Sequence, residues 1–84
     1  MYDNTPQKPS VYIDERKVLL QDCVWHLEAY KRRLGRTFDK VSNKSDRLYF
    51  LTRYNDVENT IERMCDMYNI VRVHRPHKLK LEDL

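Results

Sequence analysis

With 84 residues, 40% hydrophobic and 35% charged side chains and a single glycine, the chain reads as one small helical domain, not a disordered segment or a β-sandwich. A domain of this size buries a modest fraction of its surface, so a binding partner, or self-association as a homodimer, is expected. No apolar run of about 18 residues and no charged-then-apolar leader occurs, which predicts a cytoplasmic protein without a membrane span.

The net charge of +3 is unevenly distributed. Residues 31–53 hold eight Lys or Arg against two Asp, residues 54–69 hold four acids and one Arg, and residues 70–80 hold four basic residues and no acid. Such segregation creates a surface field that a net charge alone does not describe.

Residues 1–9 lack periodicity and contain Pro6 and Pro9, which predicts an extended arm. Ser10 or Asp14 is placed to cap a first helix running to Leu34, with Gly35 just past its end and Lys31, Arg32 and Arg33 in its last turn. Ile13, Leu20, Cys23, Leu27, Tyr30 and Leu34 form a heptad seam on it, interrupted at Arg16. Val18 and Trp25 lie one heptad apart on the other side, and Leu19 and Val24 widen the arc. A helix apolar on two sides is sandwiched between two surfaces.

Residues 36–44 read as the connection, with Phe38 and Val41 tucked against the hairpin end. Ser45, or its competitors Ser42 and Asn43, caps a second helix. Its seam is Phe50, Tyr54, Val57, Ile61, Met64, Tyr68 and Val71, free of Gly and Pro. Helices of this length are marginal alone, so the two seams are expected to pack antiparallel as a hairpin. After Asn69 the pattern changes: Val71 and Val73 alternate with Arg72 and His74, Pro76 blocks any helix, and leucines are spaced among charges. The predicted fold is all-α: an arm over residues 1–9, an antiparallel helical hairpin over residues 10–76 and an interaction tail over residues 77–84.

Lys31, Arg32, Arg33, Arg36, Lys40, Lys44 and Arg47 gather at one pole of such a hairpin. There they are able to contact phosphates, or simply to complement a helix C-terminus and solvate a loop. Tyr30, Tyr54 and Tyr68 fall on seams and read as core residues with a wet hydroxyl, not as base-stacking platforms. Cys23, His26, Cys65, His74 and His77 match no compact zinc module, and no orienting residue or oxyanion loop accompanies a Cys-His pair. The cysteines read as reduced and packed, with no disulfide, metal, cofactor or enzymatic activity expected. Trp25 with Val18 is the aromatic anchor that a protein-binding face requires, unless Leu79 and Leu81, or Val71 and Val73, fold back and cover it.

The tail Leu79-Lys80-Leu81-Glu82-Asp83-Leu84 resembles the hydrophobic and acidic C-terminal tails by which bacteriophage late-transcription factors and co-activators engage a DNA sliding clamp. The resemblance covers these six residues. The tail lacks the aromatic residue of many clamp-binding peptides, and Lys78 and Lys80 depart from an acidic character. The resemblance implies a small helical adapter with a partner such as RNA polymerase or a sliding clamp. The functional expectation is therefore a non-enzymatic adapter or transcription regulator that binds protein through Val18, Trp25, Leu79, Leu81, Glu82, Asp83 and Leu84. The alternative is a nucleic-acid-binding protein that uses the basic pole.

Overall fold

The computed structural model describes residues 9–84, with side chains from residue 15 onward. Helix α1 spans Pro9–Lys40 and helix α2 spans Lys44–Tyr68, and they pack as an antiparallel hairpin 59 × 21 × 16 Å in extent. The remaining described residues are irregular apart from one 3-10 turn, Leu81–Asp83, and no strand occurs among the described residues. The predicted arm lies outside the described residues, except Pro9. Both predicted caps, Ser10 and Asp14, lie inside α1. Proline is tolerated in a first helical turn because its missing N–H has no intrahelical acceptor there.

Gly35 does not end α1. The helix continues through it with no positive φ and stops at Lys40, so the connection is residues 41–43 and not 36–44. What needs the glycine is proximity: a Cβ at Gly35 would sit 3.1 Å from Cε2 of Tyr54 across the interface. Absence of a side chain lets the α2 tyrosine ring lie on the α1 backbone. Phe38, 3% exposed, is consequently a helical core residue, with the Arg47 guanidinium stacked 4.0 Å from its centroid.

At the start of α2 the competitor Asn43 is the cap, not Ser45: its side-chain oxygen accepts from Asp46 N–H at 3.2 Å. At the other end Asn69 adopts the left-handed conformation (φ 56°, ψ 47°), and Ile70 N–H donates to the Cys65 carbonyl at 2.9 Å. Ile70 also packs in the cluster of Val24, Ile61 and Cys65, so the helix stop carries its own hydrophobic contact. The chain is thereby reversed onto the hairpin.

The two interface seams coincide with the predicted ones in part. On α1 the inward positions are Leu20, Val24, Leu27, Lys31, Leu34 and Phe38, and on α2 they are Arg47, Leu51, Tyr54, Glu58, Ile61 and Cys65. Cys23 is exposed, and Tyr30, Tyr68 and Val71 are 37%, 44% and 81% exposed, so these four are not core residues. Each seam also contains charged side chains that hydrophobic periodicity passes over. Leu20, Leu27, Leu34, Tyr54 and Ile61 are common to both readings, and the predicted Val57 and Met64 pack on the core cluster; the predicted Ile13 lies outside the described side chains.

Candidate interaction faces

The middle of the hairpin buries four charges. Glu58, Lys31 and Glu28 are 1%, 4% and 5% exposed, and Arg72 reaches them from beyond the helices. Arg72 donates through Nη1 and Nη2 to the two Glu58 oxygens at 2.6 Å each, and through Nε to Glu28 Oε2 at 3.0 Å. Lys31 closes the group by donating to Glu58 Oε1. Two acids face two bases, and among the described residues no buried side-chain nitrogen or oxygen lacks a partner. Balance of this kind is what makes buried charge tolerable. Burial pushes the Glu58 carboxyl up, but hydrogen bonds from Arg72 and Lys31 overcome it and hold the group at about 2. The same carboxylate bonds push the Arg72 guanidinium further toward its charged form, against the opposing effect of burial.

From Arg72 the chain runs back toward the helix connection. Arg32 donates to His74 Nε2 at 3.3 Å, and the Tyr54 hydroxyl is hydrogen-bonded to His77 Nδ1 at 2.9 Å. Burial, and then the Glu58 charge, raise the Tyr54 phenol above its usual value, so it stays protonated. Asn55 clamps the Leu79 backbone, accepting its N–H at 2.8 Å and donating to its carbonyl at 2.9 Å. Arg47 donates to the carbonyls of Phe38, Val41 and Asp83, tying the end of the chain to the connection. Lys80 N–H donates to the Asp83 carboxylate at 2.8 Å, closing the terminal turn.

This path separates the two apolar surfaces whose relation the sequence leaves open. The tail leucines lie toward the connection, with Leu79 and Leu84 half-buried and Leu81 70% exposed. Trp25 and Val18 lie toward the open end, 58% and 63% exposed. They line a groove of about 450 Å³ with Leu19, Val71 and Val73, and Asp22 stands on its wall. Val71 and Val73 flank Trp25 without covering it, being 81% and 85% exposed themselves. Residues 15–19 are all exposed, and among the described side chains of α1 Leu20 is the first packed on the core.

The predicted basic pole divides. Lys31 is consumed by the buried network and Arg47 by the connection, whereas Arg32, Arg33, Arg36, Lys40 and Lys44 are exposed. The histidines and cysteines are not brought together: among the described residues no three His, Cys, Asp or Glu side chains converge as metal ligands. Cys65 is buried, which pushes its thiol up and leaves it protonated at neutral pH. No described helix is long and apolar enough to cross a membrane. Sequence reasoning missed Glu28, Glu58, Arg72 and Asn55. A signal for Glu58 existed, since it stands in heptad register between Tyr54 and Ile61, but nothing local marks Asn55. No protein-family model, curated protein or solved structure matches the chain.

Proposed function

We propose that the protein is a non-enzymatic adapter that holds a segment of a transcription or replication protein in the groove at its open end. The observation that carries this reading is the gathering of Val18, Leu19, Trp25, Val71 and Val73, each 58–85% exposed, around one concavity. Isolated apolar side chains are ordinary on a surface, but a contiguous set with a central tryptophan has the composition of an interface hot spot. Apart from the network residues Glu28, Glu58 and Arg72, the open half of the hairpin, residues 15–29 and 55–73, exposes five acids against three Lys or Arg. Together with Asp22 on the groove wall, this favours an amphipathic segment with basic flanks as the occupant.

The tail is the second contact of this adapter. Leu81 and Glu82 are exposed as docked, whereas Leu79 is held by Asn55 and Asp83 by Arg47. A sliding clamp that takes residues 79–84 as an extended peptide has to break those bonds first. The test is binding of purified RNA polymerase and of a sliding clamp to the full chain, to Trp25→Ala and to a chain ending at His77. Loss of about tenfold or more in Trp25→Ala supports the groove, at a cost typical of a hot-spot aromatic. Loss confined to the truncated chain moves the contact to the tail. Absence of binding to either partner by the full chain refutes the assignment to this machinery.

A further inference from the structure

Arg75, Lys78 and Lys80 follow the end of α2, which lies at the open end of the hairpin, far from the helix connection. Had the chain continued outward from Tyr68, these cations would sit at the opposite pole from those of α1. The reversal at Asn69 and the contacts to Glu58, Tyr54, Asn55 and Arg47 in turn carry them back along α2. Apart from Lys31 and Arg47, the half of the molecule made of residues 30–54 and 74–84 therefore exposes nine Lys or Arg against four Asp or Glu.

We propose that this half is a composite nucleic-acid-binding face, assembled by docking of the tail, that contacts phosphates through Arg32, Arg36 and Lys40 of α1 and Arg75, Lys78 and Lys80 of the tail. Arg32, Arg36 and Lys40 recur every four residues, so they form one stripe about 12 Å long on the helix. Arg32 meets the tail directly through His74, which joins the two sets. All six are exposed, and among the described residues no carboxylate pairs with any of them. Their charge is neutralised by solution ions, whose release drives association with a phosphate backbone. A bilayer is a poorer fit, because membrane-surface helices combine cations with an inserted apolar face. Here the cluster around Trp25 adjoins only one end of the basic stripe, about 10 Å from Arg32 but about 22 Å from Lys40 along α1. Phosphate contacts of this kind fix the protein's position on a duplex and carry no base-sequence information.

The six cations are separate from the residues named for the open-end groove, and the two sites meet at His74. The proposal is tested with the full chain and a labelled DNA duplex by fluorescence anisotropy between about 50 and 200 mM salt. Six phosphate contacts predict a log K against log salt slope of about −5, and replacing either three-residue set by Ser reduces its magnitude by about 2 to 3. Circular dichroism stays unchanged in both variants because all six side chains are exposed, and Trp25→Ala leaves duplex binding intact. Lack of duplex binding by the wild type at low salt overturns the proposal. An unchanged slope after substitution of Arg75, Lys78 and Lys80 overturns the composite face and leaves the cations of α1 alone. Binding to phosphatidylserine vesicles without binding to duplex assigns the charge to a membrane surface and also overturns it.

Discussion

The centre of the hairpin and its open end invert the usual distribution of side chains. At the centre Glu28, Lys31, Glu58 and Arg72 are taken out of water, while at the open end Val18, Leu19, Trp25, Val71 and Val73 are left in it. Two neighbouring residues of one extended segment serve both: Arg72 points into the charge network and Val71 lines the groove. The contrast shows that the segment after α2 is the third packing layer of the domain, held by polar bonds where a longer chain would use a third helix. It also shows that the exposed apolar groove is built on a rigid support, because the residue that anchors one of its walls is locked at three carboxylate oxygens.

The largest effect is expected where the centre is broken from one side. Arg72→Ala leaves Glu28 and Glu58 buried against Lys31 alone, a loss of about 3–5 kcal/mol for an uncompensated buried charge. Chemical denaturation measures it, and faster hydrogen exchange at the Leu79 amide reports release of the tail. A variant as stable as the wild type would mean that the network is solvated and that the contrast between the two regions is weaker than the geometry shows. Acid titration attacks the same site without mutation. Glu58 is held at about 2 in the folded chain against an ordinary 4.5, so its contribution is fully present above pH 4.5. It is lost as pH falls from 4.5 through about 2, amounting to roughly 3 kcal/mol. Glu58→Gln should flatten that part of the stability profile.

The helical hairpin itself was legible, because apolar residues recur with a helical period in both segments and Ile61 lies on the interface whichever stripe is drawn. The charged members of its interface were not. Lys31 and Glu58 occupy core positions, which their mutual pairing across 27 residues of sequence and the bidentate contact from Arg72 make possible. Gly35 misled for a related reason: glycine serves both as a helix stop and as a site of close approach, and the tyrosine that decides between them comes from the other helix. The groove was half legible. Val18 and Trp25 mark its α1 wall by their spacing, but the second wall depends on the left-handed Asn69 and on Arg72, whose acceptors are remote in sequence.

A smaller effect is expected at the helix crossing beside the network. Gly35→Ala gains about 1 kcal/mol of helix propensity but brings a Cβ to 3.1 Å from the Tyr54 ring. That ring is constrained by the hydrogen bond to His77 and by the Lys31 ammonium 4.8 Å from its centroid. Overpacking against a held ring costs about 1–3 kcal/mol, so the net expectation is a destabilisation of about 1 kcal/mol in denaturant melts. A variant more stable than the wild type would show that the Tyr54 side of the network yields.

The smallest effect on folding is expected at the open end. Trp25 is 58% exposed and belongs to a wall of the groove, not to the packed cluster of Val24, Ile61, Cys65 and Ile70. Trp25→Ser should therefore change stability by no more than about 0.5 kcal/mol, as for a surface position without a special contact. In the wild type, removal of residues 78–84 should leave the emission maximum of Trp25 where it is, since none of those residues lines the groove. A blue shift of the same emission on addition of a partner, absent when Val71 and Val73 are changed to Ser, would place that partner between α1 and the segment after Asn69. If instead Trp25→Ser destabilises the isolated protein by several kcal/mol, the indole is part of the fold, and the open end ceases to be the exposed counterpart of the charged centre.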